Sequence, residues 1–498
     1  MKKCICIALS LLSSLAYSQD YSWEQALFSN SENQPSTIYR MAISDTDEKV
    51  VVGKFKESMT IGEQTINSSK PLGVFLAKYT ANDSLLWVKV IAESEEHNLV
   101  EFIDALGHPK VICDELGYIY VNIPYNDTLY TSSNEYISND LNYNFPNFII
   151  LKYSIDGDEI FTLDVKGDCE KRNGVKGFVV ADDKSIYLSV MYGNNIFNNT
   201  QLCDCIIGND TLRTYDYKSV LVKYSSSGLV LWSKKNTGDA DVILLNQESL
   251  YTSGYSYNAN NIDFDNYTIH YPSSYEQGAY ISNFDTTGVF KWAKYFGVKG
   301  WASHVQIMDL YAATDNDIIL VGRTFAQDQT NKLFFENAST LIGSQYGSDD
   351  AFIVCYDSLG NVKWHEMTNS HSDEWYVEST SDSDGNIFVS GTFAGELVLG
   401  TDTLVSTGGY EVFIRAFDNE GNHLWVKKAG GTSSDFCYGL EIDSQENLYM
   451  VGSSASNLIH FGDSSYSLPP SGYQMFLAKL SKNSIGLKEL LNKEALVY

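Results

Sequence analysis

Positive charge is scarce in this chain: 34 lysines and arginines stand against 63 aspartates and glutamates in 498 residues, a formal charge of −29. Affinity for nucleic acid comes largely from Lys and Arg neutralising phosphates, so no nucleic-acid partner is expected. Cations or neutral glycans suit such a surface better, although strong net charge also simply keeps an exported protein in solution. Proline is rare as well, with 8 residues beside 36 glycines. Cysteine is sparse. Beyond Cys4 and Cys6, the residues Cys113, Cys169, Cys203, Cys205, Cys355 and Cys437 are too scattered for a dense disulfide framework. One bridge between Cys169 and the Cys203-Asp-Cys205 pair stays open, whereas Cys113 and Cys355 lie in apolar runs where a buried free thiol is the ordinary state. Past residue 15 no apolar run reaches the ~18 residues a membrane helix needs, so no membrane span is expected.

Catalytic and metal signatures are equally thin. His97, His108, His270, His304, His365, His371, His423 and His460 form no His-x-x-x-His spacing, and no Cys-x-x-Cys occurs. There is no Gly-x-Ser-x-Gly elbow, no phosphate-cradling loop and no dinucleotide fingerprint. No catalytic residue, cofactor or metal site is therefore assigned.

What is present starts with a leader. Met1-Lys2-Lys3 supplies positive charge, Cys4 to Leu15 an uncharged apolar stretch, and Ala16-Tyr17-Ser18 small residues at the first and third positions of a cleavage site. Residues 1–18 thus read as a signal peptide, with export as the expectation and Gln19 or Asp20 as the mature N-terminus. Cys4 and Cys6 precede most of the apolar stretch, where a lipidated cysteine would follow it.

The rest of the chain is one repeated phrase: an apolar strand ending in Lys-aromatic, a turn with Asp or Gly, then an apolar strand carrying Trp. The clearest copies run Ala351 to Trp364 and Val412 to Trp425. Others lead from Phe75-Leu-Ala-Lys-Tyr79 to Trp87, from Leu221-Val-Lys-Tyr224 to Trp232 and from Ile281 to Trp292. A divergent copy ends on Phe161, and Met475-Phe-Leu-Ala-Lys479 has no Trp after it. A second phrase lies between these markers, an acidic turn feeding an alternating strand that often closes on Gly: Asp382 to Gly391, Asp443 to Gly452, Asp315 to Gly322 and Asp45 to Gly53, with weaker copies from Asp114, Asp182 and Gln247.

Each unit therefore holds four strands, which with turns and one longer loop fill about 65 residues. Four-stranded units that cannot bury both faces alone must pack around an axis. The expected fold is all-β, a seven-bladed β-propeller of four-stranded blades occupying residues 19–482. The blades are placed roughly at 36–95, 96–168, 169–240, 241–299, 300–371, 372–431 and 432–482 plus 20–29. Because the strand of Trp23 precedes any complete unit and the last unit lacks its Trp strand, the ring should be closed by the N-terminal strand, with Trp23 in the sheet of Phe476.

Together these phrases resemble the bacterial secreted β-propeller repeat family, the SBBP repeats, most strongly over residues 351 to 452. The resemblance implies a secreted or cell-surface protein, chiefly of the Bacteroidota, with no catalytic motif common to its repeats. The tail at residues 483–498 resembles the run into a type IX secretion sorting domain and then stops, either because the chain is truncated or because the likeness is accidental. Without that domain, a periplasmic location is the alternative to the outer surface.

In a propeller the loops joining each outer strand to the next inner strand gather on the face where ligands bind. That places Trp301 with His304, His371 with Glu374 and Trp375, and Asp435 with Tyr438 near one rim of the channel. Rings beside carboxylates can stack on a sugar while hydrogen-bonding its hydroxyls; packing of the same rings between blades is the plainer account. The expected role is a monomeric binding or scaffold module for a glycan or surface protein, without catalysis. The alternative is a polysaccharide hydrolase or lyase working through a pair of rim acids. Asp382-Ser-Asp-Gly-Asn386 is similar to a short calcium loop but lacks the later bidentate Glu, and a hairpin turn accounts for it better. Finally, Asp-(Ser/Thr)-Leu marks Ser84, Thr128, Thr211, Ser358 and Thr403 as candidate O-glycosylation sites or as a turn recurring with the repeat.

Overall fold

The computed structural model of the protein describes residues 21–29, 35–95, 109–125, 128–137, 147–167, 173–192, 203–207, 210–214, 218–235, 240–257, 261–264, 267–270, 275–299, 304–325, 332–336, 341–342, 348–368, 370–469 and 472–483. The leader 1–18, Cys169, Trp301 and the tail from residue 484 lie outside them. Seven antiparallel sheets, each with a four-stranded core, form a seven-bladed β-propeller.

From the axis outwards, blade 1 comprises Ser36–Ile43, Lys49–Ile61, Gln64–Tyr79 and Leu85–Ser94, and blade 2 comprises Lys110–Cys113, Ile119–Tyr125, Asn147–Tyr153 and Glu159–Gly167. Blade 3 has Asn173–Val180, Ile186–Tyr192, Lys218–Tyr224 and Val230–Lys235; blade 4 has Ala240–Asn246, Ser249–Tyr257, Tyr275–Asp285 and Phe290–Lys299. Blade 5 has His304–Ala312, Ile318–Phe325, Asp349–Tyr356 and Val362–Met367; blade 6 has Glu374–Ser381, Ile387–Phe393, Glu411–Phe417 and His423–Gly431. Blade 7 joins Asp435–Ile442, Leu448–Ser454 and Gln474–Lys482 to Tyr21–Phe28. The closure expected from counting Trp strands is thus present: Trp23 stands opposite Leu480 and Phe28 opposite Phe476. A polar fastening ties this closed blade to its neighbour, since Ser444 of blade 7 donates through N (2.8 Å) and Oγ (2.6 Å) to the carboxylate of Asp47 in blade 1.

The sequence pattern follows from burial. Second and third strands are covered on both faces, so Ile119–Tyr125, Ile387–Phe393, Glu411–Phe417 and Leu448–Ser454 are buried at every residue and read as mainly apolar runs without a polar face. Outer strands such as Val362–Met367 are only partly covered and carry the polar residues.

The recurring Gly and Trp are two halves of one contact between blades. The turn from third to fourth strand puts its glycine at positive φ, +76° at Gly157, +80° at Gly288 and Gly360, and +82° at Gly421, a region unfavourable to any side chain. Against that glycine lies the ring from the preceding blade's outer strand. A Cβ at Gly360 would come 2.6 Å from Trp292, and one at Gly157 2.9 Å from Trp87. Trp364 lies against Gly421 in the same manner, Trp232 against Gly288 and Phe161 against Gly228. Trp232, Trp292 and Trp364 also donate Nε1–H to the carbonyl of the second turn residue, Thr286 (3.3 Å), Ser358 (3.2 Å) and Asn419 (3.1 Å).

The longer loop of each repeat, between second and third strands, folds as a hairpin that the sequence did not announce. The hairpins of blades 2, 3, 5 and 7 each add to the outer strand of the preceding blade, with Leu129 opposite Ser94, Ile206 opposite Lys166, Leu333 opposite Val298 and Phe461 opposite Ala429. In blade 1 the prolonged second and third strands reach blade 7 through a Ser29–Ile61 bridge. Blades 4 and 6 carry the hairpin as separate ribbons, Ile262–Phe264 with Tyr267–Ile269 and Glu396–Leu399 with Asp402–Val405. Leu129, Phe264, Phe335, Leu399 and Phe461 are buried in these wedges, each contributing roughly 1.5–3 kcal/mol.

Candidate functional site

His304, Glu374 and Asp435 open the inner strands of blades 5, 6 and 7, with Trp375 one residue further in, so the expected rim residues do gather at one end of the ring. Their exposure divides them: the rings follow the plainer account of packing between blades, whereas the sealing of the two acids departs from a rim position. His304 and His371 are exposed, whereas Glu374, Trp375, Asp435 and Tyr438 are buried, the two acids completely. The reason is that the inner strands of blades 6 and 7 start inside seams, packed on the third strand of the preceding blade.

Glu374 accepts from Ser370 Oγ at 2.5 Å. Burial, together with the neighbouring Asp350 carboxylate, pushes its carboxyl up to about 9. Asp435 accepts from Gly431 N (2.7 Å), Ser454 Oγ (2.5 Å) and Ser456 Oγ (3.1 Å), and burial still raises it to about 6. Tyr438 is the bulged residue of its strand and packs its ring 5.4 Å from that of Tyr39, the bulged residue of blade 1. A pH prediction follows from Glu374. In the fold it keeps a proton that an unfolded glutamate loses near 4.5, so its contribution to stability is complete below that pH and is lost as pH rises through about 9. Thermal melts of Glu374→Gln should lose up to about 1.4 kcal/mol per pH unit of the wild-type decline across this window. An unchanged slope would assign the decline to other groups.

Around these seams lies a connected polar and aromatic rim. Arg323 pairs with Asp349 (2.8 Å), takes Gln306 Oε1 on Nε (2.8 Å) and lies over the Trp375 ring at 5.4 Å. Asp373 accepts from Asp349 N (3.0 Å) and Tyr410 OH (3.1 Å). His304 stacks on Phe325 with centroids 5.3 Å apart. From Trp375 the rings continue to Tyr410 (5.2 Å), Phe436 (5.4 Å) and Tyr473 (6.0 Å), the last three half-buried.

Sequence reasoning missed a second constellation on the axis. A bulge in the inner strands of blades 1, 5 and 6 brings Arg40, Asp309 and Glu378 to equivalent positions. With Lys110 and Glu441 they line a cavity of about 190 Å³. Arg40 Nε lies 3.8 Å from Glu378 Oε1 and its Nη1 donates to the Tyr438 carbonyl; Glu378 accepts from Leu440 N at 2.7 Å, and Asp309 from Ser379 N (3.0 Å) and Oγ (2.8 Å). Burial lowers Lys110 to about 8 and raises Glu378 to about 7, with Glu441 well above the carboxylate range. Two cations facing three carboxylates can bind the inner strands together, or hold a small dipolar molecule. The available signal was a charge inside an otherwise apolar inner strand, as Arg40 within Ser36–Ile43.

The acidic turns use their carboxylates locally. Asp382 Oδ1 accepts from Asp384 N (3.0 Å) and Asn386 N (2.8 Å), and Oδ2 from Asn386 Nδ2 (2.8 Å); Asp357, Asp418 and Asp443 repeat the arrangement. The geometry is that of a hairpin turn. Among the described residues no three His, Cys, Asp or Glu side chains are grouped to hold a metal. Cys355 and Cys437 are buried free thiols, raised to about 12 by burial. The five Asp-(Ser/Thr)-Leu sites fall in two settings: Ser84 and Ser358 in turns between third and fourth strands, Thr128, Thr211 and Thr403 on the inter-blade hairpins.

Residues 424–460 match the model of the beta-propeller repeat family, SBBP. A stretch of 148 residues is 26% identical to an uncharacterized WD repeat-containing protein, L264, of Acanthamoeba polyphaga mimivirus, covering 26% of this chain and 10% of that protein. The chain thus spans about a tenth of that relative's length. Among solved structures, the chain is similar to a protein of unknown function from Dyadobacter fermentans (8% identity, 93% of this chain and 100% of that one, TM-score 0.39). It is also similar to BamB from Moraxella catarrhalis (10% identity, 86% and 94%, TM-score 0.34) and to the β-propeller domain of the Trilobed protease from Pyrococcus furiosus (9% identity, 88% and 96%, TM-score 0.40).

Proposed function

We propose that this propeller is a non-catalytic binding module, exported from the cell, that presents the rim over blades 5 to 7 to a glycan or a surface protein. The observation that carries the reading is the arc of half-buried rings Tyr410, Phe436 and Tyr473 beside the hydrogen-bonded Arg323, Asp349 and Asp373. Ring faces and fixed polar groups together suit the alternating apolar and hydroxylated surfaces of a sugar. The alternative, hydrolysis by paired acids, is less well supported because Glu374 and Asp435 are sealed in seams and hydrogen-bonded there. Export rests on the leader-like residues 1–18 and the acidic composition.

The test is a glycan array run beside reducing-sugar release on the same polymers. Binding without release is expected, and Tyr410→Ala combined with Tyr473→Ala should weaken it about tenfold, two stacking contacts of ~0.5–1.5 kcal/mol each, while the protein stays folded by circular dichroism. Turnover abolished by Asp373→Asn would replace the binding role with an enzymatic one.

A further inference from the structure

The axial charges are sorted around the ring by sign. Blades 5, 6 and 7 put the acids on the cavity wall, Asp309, Glu378 and Glu441; blades 1 and 2 put the bases there, Arg40 and Lys110; blades 3 and 4 contribute Phe178, Val242 and Ile243 and no charge. Three of the charged groups are held by the wall itself. Arg40 is engaged by Glu378 and by the carbonyls of Tyr39 (2.9 Å) and Tyr438, Glu378 by Leu440 N, and Asp309 by Ser379. Glu441 is different: among the described residues it accepts no hydrogen bond and forms no ion pair, and burial with the Glu378 and Asp309 carboxylates holds its carboxyl well above the usual range. An acid left without a partner inside a fold is unfavourable to keep unless something else satisfies it.

We infer that the axial cavity is a binding site for a small zwitterion, an amino acid with a short apolar side chain. The three sectors match the three substituents on its α-carbon: the ammonium group faces Glu441 and Asp309, the carboxylate faces Lys110, and the side chain lies against Phe178, Val242 and Ile243. Lys110 keeps its charge at pH 7, since burial and Arg40 lower it only to about 8 while Asp309, Glu378 and Asp241 oppose them. An organic ammonium group is the fitting counter-ion, because among the described residues no three His, Cys, Asp or Glu side chains are grouped to hold a metal. It brings three N–H donors to a carboxylate that accepts none, and its charge keeps Glu441 ionised. The cavity is partly open, and its volume of about 190 Å³ corresponds to about six waters at ~30 Å³ each, the size of such a molecule. Glu378 and Glu441 stand four and six residues along their strands from Glu374 and Asp435, roughly 13–20 Å at ~3.3 Å per residue. The site is therefore separate from the rim and does not rest on the rim reading.

L-Valine is titrated into the protein at pH 7 by isothermal calorimetry, beside isobutylamine, which lacks the carboxylate, and isovalerate, which lacks the ammonium group. Saturable one-to-one binding of L-valine is expected, with each analogue at least tenfold weaker. Glu441→Gln keeps the shape and removes the charge; it should melt no lower than wild type, since this carboxyl holds nothing in the fold, and bind L-valine at least tenfold more weakly. Lys110→Met should weaken L-valine and leave isobutylamine unchanged, a split that a merely structural lysine would not produce. The inference is overturned if L-valine gives no saturable heat, if either analogue binds as tightly, or if Glu441→Gln binds L-valine like wild type. Should a variant fail to fold, the comparison of analogues on the wild-type protein decides. Tyr410→Ala with Tyr473→Ala should leave L-valine binding intact, so that failure at the axis and failure at the rim are read separately.

Discussion

Removing residues 21–28 should open the ring, with loss of cooperative unfolding, a larger elution volume spread and rapid proteolysis of blade 7. The strand contributes a full antiparallel ladder to Gln474–Lys482 and covers a strand whose Phe476, Ala478 and Leu480 are wholly buried. Tyr21 and Ala26 are themselves buried, and Tyr21 packs 5.1 Å from Trp425. Stripping a ladder and this apolar area from one edge should cost on the order of 5 kcal/mol or more, comparable with the net stability of a whole domain. Adding a synthetic Tyr21–Ser29 peptide should restore a compact, protease-resistant species. A truncated protein that melts like the wild type would mean that the ring does not depend on this closure.

The second large effect lies in the pairing of Trp364 with Gly421. Trp364→Ala should destabilise the protein by about 1.5–3 kcal/mol through the lost contacts of a partly buried ring, while the exposed Asn419 carbonyl turns to water. Gly421→Ala should cost about 1–3 kcal/mol, because the new Cβ meets the ring and φ +82° is unfavourable to alanine. The two changes should not add: with the ring gone only the backbone penalty remains, so the double variant should fall short of the sum by about 1 kcal/mol or more. Chemical denaturation of the four proteins measures this, and strict additivity would show that ring and glycine do not act together.

The blade count and the closure were legible because two independent phrases recur and because the odd Trp strand at the start matches the strand missing at the end. Phe161 could be placed in the Trp slot for the same reason. The hairpins were not legible: their strands are as short as Ile262–Phe264, and no turn motif sets them apart from other loops. The rim was legible in position and misleading in exposure. Glu374 and Asp435 are acids beside loops, which reads as a solvated surface, and only the packing of the preceding blade reveals that they are sealed. The axial charges escaped because each blade contributes one residue, so that Arg40, Lys110, Asp309 and Glu378 become neighbours only once the ring is closed.

The inter-blade hairpins have a consequence for how the protein behaves in a crowd. An unpaired outer strand is a template on which another chain can build a sheet, the first step towards aggregation. Here the outer strands of blades 1, 2, 4 and 6 are each occupied by the next blade's hairpin. Among the described residues the outer strands of blades 3, 5 and 7, Val230–Lys235, Val362–Met367 and Tyr21–Phe28, pair along their length on one side only, the last being followed by the single Ser29–Ile61 bridge. Lys234, Lys363 and Glu24 sit in these three segments, where charge discourages a foreign strand from adding. Self-association under heat or mild denaturant should therefore start at blades 3, 5 and 7.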